Sequence, residues 1–166
     1  MTVVATSRPA AAARAVVAVV PDPEVPVLTI DDLGVLRDVE VDPGGAVHVT
    51  ITPTYSGCPA MDVIRDDVRA ALQHAGYDRV EITTVLSPAW TTDWMSAAGK
   101  AKLLAYGIAP PPGARAGQPV RLALSVRCPQ CDSLDTREVS RFGSTACKSL
   151  WVCSACAEPF DHFKAI

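Results

Sequence analysis

Two cysteine pairs constrain this chain more than anything else in it: "CPQC", residues 128–131, and "CSAC", residues 153–156, with 21 residues between them. A CxxC turn lets two sulfurs face one ion while backbone amides point at them. Two such turns supply four thiolates, the set that tetrahedral coordination takes. A segment of the size of residues 120–166 buries too little to fold by its core alone, so bound metal must supply much of its folding free energy. Cys128, Cys131, Cys153 and Cys156 are therefore expected to be ligands, with disulfides or free thiols as the competing use. Zinc is the default ion. Iron, or an iron–sulfur cluster, is the alternative for the same four thiolates. Cys147 lies outside both pairs and is either a small buried residue of the ribbon's strand or else an extra ligand or redox partner. His162 is expected to be exposed or packed rather than a ligand.

Charge narrows the function classes. The net charge is −3, with 49% apolar residues, so a core can form and no basic footprint exists for nucleic acid or an anionic membrane. Residues 127–166 carry Arg127, Arg137, Arg141, Lys148 and Lys164 against Asp132, Asp135, Glu138, Glu158 and Asp161. That balance argues against phosphate binding by the ribbon. The tail "EPFDHFKAI" is aromatic and apolar, and is read as a surface that docks on protein. The apolar run at residues 15–20 is too short to span a bilayer and makes a poor signal peptide. The chain thus reads as cytoplasmic, where cysteines serve as ligands or reactive thiols more often than as disulfides.

The organisation expected is α+β: a small mixed α/β domain over residues 8–108, a Pro/Gly linker over 109–119, and a β-rich metal-binding ribbon over 120–166. Residues 1–7 read as a frayed start and 8–20 as helical. Three prolines make residues 21–36 extended with turns. "VLRDVEVD" and "AVHVTITP" alternate in the strand period around the turn "DPGG", which predicts a β-hairpin. Met61, Ile64, Val68, Ala71, Leu72 and Ala75 trace one helical face that stops at Gly76. "RVEITTVL" predicts a third strand, "SPAWTTDWM" a loop, and "SAAGKAKLLAYG" a short helix capped by Ser96.

Cys58, in "TYSGCPAMD", stands far from the other five cysteines. Pro59 suits a first helical turn because it has no N–H to leave unpaired. Cys58 then sits at or beside the N-cap, where free amides and the helix dipole favour thiolate, and Gly57 lets a partner approach closely. The other reading is a small residue packed under the helix end. Of the histidines in this half, His48 falls on a strand and His74 on a helix. Neither is an evident base for a thiol enzyme.

At these residues the chain resembles a known family. "DPEVP" (22–26), "DLG" (32–34), "SGCP" (56–59) and "PAWTTDWM" (88–95) occur in the order found in the MIP18 (DUF59) family of small α/β domains, implicated in iron–sulfur protein maturation. The motif residues are Asp22, Asp32, Gly34, Gly57, Pro59, Trp90 and Met95. Trp94 before Met95 departs from many members. The family's functional thiol falls on Cys58. "FGSTACKSLWVCSACAEPFDHFKAI" after a CPxC turn resembles the C-terminal module of the PaaD (PaaJ) family of the bacterial phenylacetyl-CoA epoxidase system. The combined resemblance implies a maturation factor for that multicomponent 1,2-epoxidase of phenylacetate catabolism. Its partners would be the di-iron oxygenase component and the reductase component. Cys58 would hold iron or an Fe–S cluster in transit, and the ribbon would recognise the client. No Glu-x-x-His pair and no GxGxxG is present, which fits an accessory role. A non-catalytic structural subunit is the alternative, and self-association into a homodimer stays open.

Overall fold

The computed structural model describes residues 10–112 and 125–165. The frayed start expected at 1–7 and the second half of the expected linker therefore lie outside the described residues. The elements, in order, are α1 (Ala10–Ala18), β1 (Leu36–Val41), β2 (Val47–Ile51), α2 (Ala60–His74), β3 (Val80–Thr84), a 3-10 turn (Thr92–Trp94), α3 (Ala97–Ala105), β4 (Ile108–Ala109), β5 (Thr136–Ser140), β6 (Lys148–Cys153) and β7 (Pro159–Phe163).

The chain divides into two compact units, residues 1–90 and 91–166. In the first, β1 and β2 form the predicted antiparallel hairpin, and β3 adds parallel to β2. The turn is fixed by Asp42, whose carboxylate accepts from Ala46 N at 2.8 Å, and by Gly45 at φ 82°. The Ala46 amide holds the Asp42 carboxyl below its ordinary range. A parallel step needs a crossover, and α2 supplies it. It buries Met61, Ile64, Val68 and Leu72, the row its sequence period marks. It ends where Gly76, at φ 85°, and Tyr77 turn their amides back onto Gln73 O and Leu72 O, a Schellman stop. Leu28, Ile30, Leu33, Val47, Val49 and Ile51 complete a core of nearly inaccessible side chains.

In the second unit the sheet order is β4-β7-β6-β5, with β4 parallel to β7 and the other pairs antiparallel. Ser96 caps α3 as expected, accepting from Gly99 N at 2.8 Å. Three expectations need correction. First, the sequence puts the junction at 109–119, yet the compact units divide between Trp90 and Thr91, and Ile108–Ala109 is a strand of the ribbon's sheet. Two residues are too short for a periodic signal, and backbone pairing with β7 defines them. Second, the loop "SPAWTTDWM" contains a 3-10 turn, capped by Thr91, which accepts from Asp93 N. Third, the tail is not a free docking surface. Phe160, His162 and Phe163 are buried in β7, because the small ribbon needs their side chains for its own core.

Candidate functional site

Four thiols converge in the second unit. The sulfurs of Cys128, Cys131, Cys153 and Cys156 all lie within 4.8 Å of one another. Cys128 Sγ is 3.8 Å from Cys156 Sγ, and Cys131 Sγ is 3.5 Å from Cys153 Sγ. The first CxxC turn follows a segment anchored where Val126 exchanges hydrogen bonds with Thr136 Oγ1, and the Gln130 amide points at Cys128 Sγ from 3.4 Å. The second turn continues β6 past Cys153, whose own amide donates to Glu158 O. Cys128 and Cys153 pack with Ala109, Val126, Trp151 and Phe160, so the sulfur set and the apolar core are one cluster.

The spacing fits a metal. Thiolates at about 2.3 Å from one tetrahedral ion stand about 3.8 Å apart, close to the shortest sulfur separations here. A [4Fe–4S] cluster gives each iron its own thiolate and so suits more widely set sulfurs. The close approach of the sulfurs also splits their titration. The amide of Cys156 brings the Cys153 thiol down to about 7. The amide of Ser133 pulls Cys131 downward too, but the neighbouring sulfurs outweigh it and push that thiol up to about 12. The four residues could hold one metal ion.

Cys147 does not join them. It is buried, with Sγ 3.0 Å from Thr145 Oγ1, and its carbonyl accepts from Lys164 N at 3.0 Å. It lies just before β6 rather than within it. His162 also stays outside the set. Its ring meets Trp151 edge-on at 6.0 Å and its Nδ1 lies 3.4 Å from Ser149 Oγ. Burial holds its pKa down at about 4, so it is neutral near pH 7.

The first unit places Cys58 immediately before Pro59, the N-cap residue of α2. Gly57 takes φ 88°, a conformation that favours glycine, and a Cβ there would meet nothing within 4 Å. Beside the thiol lies the turn opened by Asp22, a buried residue whose Oδ1 accepts from Glu24 N at 2.9 Å and Val25 N at 2.8 Å. Asp32 builds the next turn reciprocally with Thr29: each side chain accepts from the other's amide at 3.1 Å. Gly34, at φ 73°, ends it. Trp90 closes over this region, donating from Nε1 to Leu33 O at 2.9 Å. Met95 is buried in the second unit.

Of the motif residues of the first unit, Asp22 acts on the thiol and Gly57 and Pro59 flank it, and the thiol is not activated as expected. Half-burial raises the Cys58 pKa above its ordinary value. The Ala60 amide at the helix start opposes this, but Glu24 and Asp22 add to the rise, and Tyr55 offsets only part of it. The helix end acts in the expected direction and is outweighed by desolvation and two carboxylates. Sequence reasoning missed Glu24 and Tyr55 as neighbours of the thiol. Both lie in or beside the motifs, so only their roles were hidden. Alkylation by iodoacetamide at pH 7 should be slower at Cys58 than at a model peptide thiol. The rate should climb about tenfold per pH unit until the raised pKa is passed. Glu24→Gln should bring the midpoint down; an unchanged midpoint would remove Glu24 from the causes of the rise.

Trp90 invites a stability test. It is 4% exposed, and Trp90→Ala should cost about 3–5 kcal/mol in lost packing, with more from the stranded Leu33 carbonyl. Trp90→Phe keeps much of the ring contact and should cost less than half as much. Urea midpoints of the two variants read the difference, and equal losses would assign the whole effect to the hydrogen bond.

Comparison with known proteins covers both units. The family described as "PaaD zinc beta ribbon domain" matches residues 114–164, and the family described as "Iron-sulfur cluster assembly protein" matches residues 10–84. An Escherichia coli K12 protein provisionally named as one of the subunits of 1,2-phenylacetyl-CoA epoxidase is 48% identical over 147 residues, covering 89% of this chain and 87% of that one. The Bacillus subtilis Fe-S protein maturation auxiliary factor YitW is 40% identical over 83 residues, 49% of this chain and 80% of its own. A crystal structure of a DUF59 domain from Bacillus anthracis superposes with TM-score 0.53 at 30% identity, over 57% of this chain and 90% of that one. No helix among the described residues is long and apolar enough to cross a membrane.

Proposed function

Because the chain belongs to the PaaD family, we propose that it is a non-catalytic maturation factor of a phenylacetyl-CoA epoxidase, assisting iron or Fe–S assembly in the reductase or oxygenase component. The observation that carries this reading is the join of two parts. An Fe–S-assembly domain presenting one half-buried thiol is linked in one chain to a zinc ribbon, over a length shared with the Escherichia coli epoxidase relative. The maturation factors that the chain resembles align with only about half of it, so the ribbon is the part that adapts a general assembly domain to one client.

In this reading Cys58 is the cargo thiol. Its raised pKa keeps it protonated and unreactive when empty, and an incoming cationic metal displaces the proton. Asp22 and Glu24 then face a positive centre instead of a thiolate, so the same carboxylates that disfavour the bare anion favour the loaded state. The four-cysteine set holds zinc as a resident structural ion: its closed ring of thiolates leaves no open position, and its spacing suits one ion. When bound, zinc supplies folding free energy rather than chemistry, and Cys147 takes no part as a ligand. The setting is cytoplasmic, where such thiols stay reduced.

The alternative is a structural subunit. Deleting the chain separates the two. For a maturation factor, the oxygenase and reductase components purified from deletion cells should be short of iron, and anaerobic reconstitution with iron and sulfide should restore activity without the chain. For a structural subunit, the separate components should be fully metallated and activity should return only when the chain is added in fixed ratio.

A further inference from the structure

The four ligating sulfurs are not equivalent toward solvent. Cys128 and Cys153 are buried, Cys156 is half-buried, and Cys131 is exposed. Elsewhere in the chain, Cys147 is buried and Cys58 is half-buried. Peroxide attacks thiolates, and reaches the ones that are both ionised and exposed. Metal ligation keeps all four ribbon sulfurs ionised; of the two residues at the outer side of the set, Cys156 packs in part against the apolar cluster, and Cys131 is left the more open. Across the two turns, Cys153 Sγ lies 3.5 Å from Cys131 Sγ, close enough to trap an oxidised sulfur there.

We infer that Cys131 is the oxidation-sensitive position of the ribbon, with Cys153 as its resolving thiol, so that peroxide opens the metal site by forming a Cys131–Cys153 disulfide. The inference rests on the metal reading above. In the first step the Cys131 thiolate attacks peroxide: the S–O bond forms, the O–O bond breaks, and hydroxide leaves and takes up a proton as water. In the second step the Cys153 thiolate attacks the sulfenic sulfur. The S–S bond forms, the S–O bond breaks, and a second water leaves after protonation. The two thiolates lose two electrons, and one peroxide is reduced to two waters. Two of four ligands are then gone, and the ion departs as a divalent cation. An oxygenase system is a setting in which peroxide arises when oxygen activation and substrate oxidation come apart. Oxidation of the ribbon would withdraw the factor under those conditions.

The test uses the full-length protein, with its metal content measured first. Purification without zinc would sink the metal reading, and that outcome is distinct from any result of the oxidation itself. Zinc-loaded protein is then treated with substoichiometric hydrogen peroxide. Zinc release is followed with a chromophoric chelator, sulfenic acid is trapped with dimedone, and disulfides are mapped by mass spectrometry of unreduced digests. The expected result is a first dimedone adduct on Cys131, a first disulfide joining Cys131 to Cys153, and one zinc released per disulfide. Cys131→His, which keeps a zinc ligand at the position, should release zinc at least tenfold more slowly. First oxidation at Cys58, Cys128 or Cys156, a first disulfide within either CxxC pair, or unchanged release in Cys131→His would each overturn the proposal.

Discussion

Cys58→Ala should leave both units folded and abolish maturation. The substitution removes one sulfur from a half-buried site, so a stability loss on the order of 1 kcal/mol or less is expected. The turns around it do not depend on that sulfur: Asp22 holds Glu24 and Val25, Trp90 holds Leu33, and α2 is held by its buried row. Circular dichroism and the ribbon's metal content should therefore match the unsubstituted protein. Growth on phenylacetate should nevertheless fall to the level of a deletion strain, and the client component isolated from those cells should be short of iron. Cys58→Ser sharpens the test, since it keeps size and polarity while removing the soft ligand. Normal growth of either strain, with fully metallated epoxidase components, would remove the cargo-thiol role and leave the structural-subunit reading standing.

The second large effect lies in the ribbon. Cys128→Ser should lose the bound ion and unfold β5, β6 and β7 together. Structural zinc contributes about 10–16 kcal/mol of apparent folding free energy in small zinc domains, which matches or exceeds the whole stability of an ordinary domain, about 5–15 kcal/mol. The apolar cluster cannot replace it, because Cys128, Cys153 and Cys156 are themselves part of that cluster. The strand β4 pairs with β7, so its two backbone partners go as well. Residues 10–90 have a separate core and should persist. Metal analysis should find no bound ion. Hydrogen exchange should show protection lost at residues 148–163 and kept along α2. One full equivalent of tightly bound metal in Cys128→Ser would refute the ligand assignment.

How much of this was legible in the sequence depends on how local each signal is. The hairpin, α2 and the Ser96 cap rest on spacing within a dozen residues, and the chain writes that spacing directly. The two CxxC pairs did the same for the ribbon: each brings two sulfurs together by turn geometry alone, and one ion needs both pairs. The motifs likewise located Cys58 and the turns that surround it.

Tertiary structure decided the rest, where the outcome depends on what faces what across long separations. Two residues, Ile108 and Ala109, carry no periodic pattern and become a strand only because β7 offers them backbone partners. The aromatic tail looks like a free surface in one dimension and is core in three, because the small ribbon has few other large side chains to bury. Cys58 shows the same limit most clearly. Its sequence position fixes the helix end beside it, which favours thiolate. Its burial, and the carboxylates of Asp22 and Glu24 more than thirty residues earlier, outweigh that and raise its pKa. Desolvation and through-space charge have no signature in local spacing, so the sequence determined which sulfur sits at the site, and the fold determined the direction in which its pKa moves.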